Sequence, residues 1–210
     1  MGSSGVGSGN LHSVFVYGSL LADDVVRVLL KRVPESSSAV LNNYHRFSIK
    51  GRVYPAILPL LNKKVTGKVL LGITDPELHI LDVFEDVEYQ RTAVDVSFMV
   101  CFFFLSAFMS IASFCTFSQL VNFMYIFVAM LLMQDNADKL QAQAYVWADK
   151  NDPNLYGDWD FQEWQGVHMK DFIKMTTSFI EELELPESKA RVATYESFYQ
   201  KNADNTTPTS

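Results

Sequence analysis

The chain has 210 residues, 49% of them hydrophobic, and its 24 acidic against 17 basic side chains give a net charge of -7. That length and apolar content suit one domain with a full core, while the acidic balance speaks against a nucleic-acid surface, which needs a basic stripe. His12, His45, His79 and His168 are scattered without ligand spacing, and Cys101 and Cys115 lie inside one apolar run, so no zinc pattern is present and nothing points to an oxidising compartment.

Residues 1–10 are Gly/Ser-rich and are expected to be disordered. They lack the basic and apolar regions of a signal peptide, and Val6 stands where a myristoylation signal needs Ser or Thr. Val14, Phe15 and Val16 then read as a short buried strand, broken at Gly18-Ser19 and followed by a helix over Ala22–Leu30 with Arg27 outward. Gly18 permits positive φ and close backbone approach, and Ser19 is a residue type that caps helices. Two readings fit this stretch: an ordinary strand-to-helix turn, or a loop whose N–H groups converge on a carboxylate or an oxyanion.

Pro34 and Ser36–Ser38 mark the helix exit. From Val40 to Ile73 the pattern is strand. One run with Tyr44, Phe47 and Ile49 ends at Gly51, and another enters through Gly67. Between them Pro55 and Pro59 each remove a ladder donor, which predicts an edge or a bulged loop rather than a central strand. Close succession of strands with helices at the ends predicts a mixed sheet or small barrel, not repeated βαβ units.

Thr74-Asp75-Pro76-Glu77 is a helix start, and Leu78, Leu81 and Phe84 form its apolar stripe. Asp82, Glu85 and Asp86 share a helical face, a pattern that solvated surface also produces. Tyr89 to Val96 alternates as a strand, as do Leu140, Ala142, Ala144 and Val146; period alone does not say which way Tyr145 faces. Asp152 to Trp159 reads as packing and turn chemistry. Asp160 with Glu163 forms a capping box ahead of one helix carrying Phe161, Trp164, His168, Phe172, Met175, Phe179 and Leu183 on one face, ended by Pro186. A short helix over Arg191–Gln200 and a polar tail follow.

Taken in order, Val14-Phe15-Val16-Tyr17-Gly18-Ser19-Leu20, then Leu81-Asp82-Val83-Phe84-Glu85 with Tyr89 and Arg91, then Tyr145-Val146-Trp147 and Asn151 to Phe161, resemble the gamma-glutamylcyclotransferase-like family, and more closely its plant avirulence-induced (AIG2-like) branch. The resemblance runs from about Leu11 to Leu183, apart from one block. It implies an α+β fold, a small mixed β-barrel with flanking helices. It also implies that Tyr17, Gly18, Ser19 and Leu20, continuing to Leu21 and Ala22, bind substrate, with Glu85 as general acid/base. The implied reaction is the acyl transfer in which a γ-glutamyl amide cyclises to 5-oxoproline and releases an amine or amino acid. The substrate's own amine attacks, so no serine or cysteine nucleophile, metal or cofactor is implied, and the enzyme's task is to hold a reactive geometry. A carboxyl pKa raised by an apolar pocket would suit both proton transfers.

The block 100–134 does not fit that family. It contains no Lys, Arg, Asp, Glu, Gly or Pro and eight Phe. About 20 apolar residues span a bilayer, so 98–133 qualifies as an anchor, though its flanks carry little positive charge. The favoured expectation is a translated in-frame intron. Valine codons begin GU, one glutamine codon ends AG, and excision would leave a compact hairpin. The organisation expected is therefore a disordered stretch over 1–10, a domain over 11–185 with an apolar insertion, and a polar tail over 186–210. The protein would be cytoplasmic, with a small-molecule γ-glutamyl substrate and no nucleic-acid partner. The alternatives are a non-catalytic module binding small carboxylates or a partner, and a membrane-tethered member of the family.

Overall fold

The computed structural model describes residues 10–98, 139–184 and 191–204. The expected disorder of the first residues, the block 100–134 in each of its readings, and the last stretch of the polar tail lie outside them.

The fold is mixed α+β. Strand β1 (Leu11–Val16) runs antiparallel to β3 (Ala56–Thr74) and parallel to β5 (Lys139–Trp147). β5 pairs antiparallel with β4 (Tyr89–Phe98), β4 with β2 (Ser36–Ile49), and β2 with β3. The pairings close into a ring of five strands, and the short β6 (Leu155–Tyr156) adds to the far end of β2. Val14, Phe15 and Val16 are buried on both faces of β1, which explains why this strand is continuously apolar rather than alternating. Gly67 is required where β3 crosses β1: a Cβ there would lie 2.3 Å from the Val16 carbonyl oxygen.

Helices cover the outside. α1 (Asp23–Leu30) buries Val25, Val26, Leu29 and Leu30, largely against α4 (Met169–Leu183). α4 in turn presents Phe172 and Phe179 edge-on to Phe84 of α2 (Asp75–Glu85), with ring centroids 6.3 and 5.5 Å apart. Burial of such rings is the main stabilising term here, since truncating one to alanine typically costs about 3–5 kcal/mol. α3 (Phe161–Val167) and α5 (Arg191–Asp204) complete the shell.

Several local expectations are corrected. Ser36–Ser38 do not mark a loop but open β2, paired with Lys68–Leu70. Pro59 sits inside β3 opposite Tyr44, on a stretch where β1 does not reach the other side. The edge environment expected for it is present, and the irregularity falls at Asn42/Tyr44, where the register shifts. The helix after Asp160 is two helices, because His168 (φ -113°) breaks the turn between α3 and α4. Lys201 belongs to α5, which continues to Asp204 instead of ending at Gln200. The sequence marks this helix start but leaves Thr74 and Asp75 both open as its N-cap; Thr74 takes that place, with a full capping box to Glu77.

Candidate functional site

β1 ends by delivering Tyr17-Gly18-Ser19-Leu20 to a cleft whose opposite wall is the last turn of α2. Gly18 has φ -123°, so positive φ is not why a glycine stands there. Close approach is: a Cβ on Gly18 would lie 2.7 Å from Cγ and 2.9 Å from Cδ of Pro55, itself on the cleft wall. Ser19 is buried and lines the cleft, but no side chain caps the following helix; Ala22 holds the N-cap position without one.

The loop is a single 3-10 turn over Ser19–Leu21, in which Leu21 N–H donates to the Gly18 carbonyl (2.9 Å) and Ala22 N–H to that of Ser19 (3.1 Å). Those two N–H groups are consumed by the turn, and neither Leu21 nor Ala22 lines the cleft. On its outer side the loop is fastened by Arg46, whose Nη1 donates to the Tyr17 carbonyl at 2.7 Å. Arg46 is packed over the Trp159 ring at 5.2 Å. Burial depresses the Arg46 pKa from its ordinary value, and Trp159 serves packing, as expected of that loop.

Among the described lining residues Glu85, half-buried at the end of α2, is the one carboxylate, and none is Lys, Arg or His. The chain leaves the helix sharply at Asp86 (φ 57°), which therefore does not continue the Asp82–Glu85 face. Around Glu85 the walls are aromatic, with Tyr17, Tyr145 and Phe84 prominent. The Tyr17 hydroxyl donates to the Tyr145 backbone carbonyl at 2.5 Å. Burial first, and then the charge of Glu85, push the Tyr17 pKa well up. Tyr145 is likewise pushed up by burial, followed by the charges of Glu85 and Asp82. Glu85 thus acts electrostatically on both phenols, and both stay neutral at ordinary pH.

Sequence reading anticipated the loop and Glu85, and the structure brings Tyr17, Gly18, Ser19, Leu20 and Glu85 onto one cleft. It missed the aromatic wall. Tyr54 and Pro55 carried only a ladder-breaking signal, and Tyr89 entered the strand pattern and the resemblance without a site role, yet the Tyr89 hydroxyl fixes the Pro55 carbonyl (2.7 Å) and both residues line the site. Tyr145 faces the cleft. Asp82, which resembled solvated surface, instead receives Tyr145 and Arg91. Its spacing of three from Glu85 was the available signal. Among the described residues no group of His, Cys, Asp or Glu is arranged to hold a metal ion, and no helix is long and apolar enough to cross a membrane.

The profile of the family described as gamma-glutamyl cyclotransferase, AIG2-like, matches residues 14–108. AIG2-like protein D of Arabidopsis thaliana is 51% identical over 183 residues, covering 87% of this chain and 98% of its own. AIG2-like protein C of the same plant is 43% identical over 197 residues, covering 94% of each. A solution structure of an Arabidopsis thaliana protein superposes with a TM-score of 0.52 at 35% identity, covering 86% of this chain and 97% of that one.

Proposed function

Because the chain belongs to the AIG2-like gamma-glutamyl cyclotransferase family, we propose that it is an acyltransferase that cyclises a γ-glutamyl amide to 5-oxoproline and releases an amine or amino acid. The observation that carries this reading is the pairing of one carboxylate, Glu85, with the Tyr17–Leu20 turn across a cleft in which no other described lining residue is Asp, Glu, Lys, Arg or His.

The chemistry follows from that pairing. The α-amine of the substrate attacks its own γ-carbonyl, so the reaction is unimolecular once the chain is folded back, and effective molarities for such geometries reach about 10⁵–10⁸ M. Glu85 takes the proton that the α-ammonium must lose. The new N–C bond forms a tetrahedral carbon whose oxygen carries the negative charge, and the turn's backbone N–H groups face that oxygen or the α-carboxylate. The amide C–N bond then breaks as Glu85 returns the proton to the leaving nitrogen, and the ring nitrogen gives up its second proton to the departing amine, which leaves as an ammonium while 5-oxoproline keeps one N–H. Tyr17 and Tyr145, kept neutral by their surroundings, do not compete for that proton. Leu21 and Ala22 close the turn and hold its shape. The test is purified protein incubated with a panel of γ-glutamyl amines and scored for 5-oxoproline; a panel-wide absence of product would favour a carboxylate-binding module.

In this reading the strand ring is a small barrel, the domain spans 11–185, and the block 100–134 is an insertion in one hairpin. Support comes from the register: Ser97 lies directly opposite Lys139 across β4 and β5, so the two ends already meet as hairpin neighbours. Joining Met99 to Asp135 would leave a loop near the usual length for a hairpin, about 2–5 residues. The deletion variant is expected to fold more cooperatively, stay soluble and turn over at least as fast. An anchor makes the opposite forecast: the full chain would resist carbonate extraction from membranes, and deletion would release it without improving its folding.

A further inference from the structure

We propose that Asp82 and Arg91 are positioning residues that fix the Tyr145 hydroxyl as a hydrogen-bond acceptor for the α-ammonium of the ligand, so that the cleft selects compounds bearing a free amine beside the glutamyl carboxylate. The inference rests on the functional reading above and adds to it residues that lie behind the cleft wall.

Asp82 stands one turn before Glu85 on the same face of α2. Its carboxylate receives Arg91 Nη1 at both oxygens, 3.0 Å at Oδ1 and 2.8 Å at Oδ2, and the Tyr145 hydroxyl at Oδ1, 2.9 Å. Arg91 and Tyr145 are placed for this by the sheet, because they face each other in the register of β4 and β5. An ionised carboxylate only accepts, so the single phenolic proton of Tyr145 points to Asp82 and the oxygen lone pairs are left as acceptors. Tyr145 is 4% exposed and lines the cleft with Glu85.

Tyr17, whose pKa burial and then Glu85 also raise, is engaged differently. Tyr17 spends its proton on the Tyr145 carbonyl and meets the backbone N–H of Ile57. Arg91 pairs with the Asp82 carboxylate at 2.8 Å, and Glu85 is the one Asp or Glu among the described residues that line the cleft. One carboxylate beside one fixed neutral acceptor matches an ammonium group, whose N–H donors need more than one partner once desolvated.

The test uses two non-reacting probes, L-glutamate and glutarate, which differ by the amine alone, with binding to the full chain measured by calorimetry. The wild-type protein is expected to prefer L-glutamate about ten- to a hundredfold, the range of a charge-assisted hydrogen bond. Asp82→Ala and Tyr145→Phe should each pull that ratio toward one while leaving glutarate affinity in place, and should raise KM for a γ-glutamyl amine more than they lower kcat. Asp82→Asn keeps an acceptor for the hydroxyl and should recover most of the preference. An unchanged ratio in Asp82→Ala overturns the inference; if that variant does not fold, Tyr145→Phe decides by the same ratio. Wild-type protein that forms 5-oxoproline while its variants keep the ratio sinks this inference alone. Wild-type protein that neither binds the probes nor forms 5-oxoproline sinks the functional reading and this inference with it.

Discussion

The two ends of α2 each carry a glutamate, and the fold treats them in opposite ways. At the first turn Glu77 is held by the backbone N–H and hydroxyl of Thr74, each 2.9 Å from Oε2, and by Arg32, whose Nε and Nη2 donate at 2.5 and 2.8 Å. Its pKa falls from 4.5 to about 2, chiefly through Arg32. At the last turn Glu85 faces a cleft and two phenols whose pKa values are pushed up by burial first and then by its charge. The helix dipole favours a carboxylate at the first end and disfavours one at the second. A carboxylate locked as an anion is useful for structure and useless for moving protons. The contrast predicts a clean separation: damage at Glu77 should appear in stability, and damage at Glu85 in rate.

The largest effect should come from Glu85→Gln. Removing a general acid/base typically lowers the rate about 10²–10⁴-fold. The amide is nearly isosteric, so thermal stability and glutarate binding, which involves no ammonium, should change little by comparison. A variant that keeps full turnover would remove Glu85 from the mechanism. A variant that loses its fold would erase the distinction between the two helix ends.

Next in size is the loop facing Glu85. A side chain at Gly18 must displace Pro55, a rigid ring pinned through its carbonyl by Tyr89. Overpacking of this kind costs about 1–3 kcal/mol, so Gly18→Val should lower kcat/KM roughly ten- to a hundredfold. Ser19→Ala adds no atoms and should do much less. Equal, mild effects on substrate affinity would mean that the turn does not touch the ligand.

How much of this was legible beforehand follows from the physical range of each signal. The start of α2 is a contact over three residues, and short spacing displays it openly, although which of Thr74 and Asp75 caps it and the return contact from Glu77 appear only in the fold. The Tyr17–Leu20 turn and Glu85 are far apart in the chain, and only an ordered resemblance linked them. Asp82, Arg91 and Tyr145 meet through sheet register, which period-two alternation does not specify until the partner strand is known. Gly18 shows a subtler limit. A glycine can mark backbone freedom or a close neighbour, and the neighbour, Pro55, lies 37 positions away on a segment that read as a broken strand. Likewise, the break at His168 is invisible in a stripe whose apolar spacing runs through it.

The smallest effect should come from the other end of α2, and its signature is a dependence on pH. Glu77 binds its proton less readily in the folded state than in the unfolded chain. Its folded pKa is about 2, against an ordinary 4.5, so the stabilisation it gives is fully present above about pH 4.5 and is lost as the pH falls through 2. Arg32 is substantially exposed, at 44% of its side chain, and an ion pair of that kind contributes only about 0–1 kcal/mol. The bonds to Thr74 add a cap worth about 0.5–2 kcal/mol. For a domain of this size each kcal/mol moves Tm by about 2–4 °C. Glu77→Gln should therefore melt a few degrees below the wild-type protein at pH 7, and its kcat should be unchanged there. As the pH is lowered the two melting curves should converge, because protonated Glu77 is itself a neutral group of nearly the same shape. Thermal melts of both proteins from pH 7 down to the acid limit of reversible unfolding check this, alongside 5-oxoproline release at pH 7. A gap that stays constant across the acid range would show that the ionisation of Glu77 is not what separates the two proteins. A loss of kcat without a loss of Tm would mean that the two ends of the helix are coupled after all.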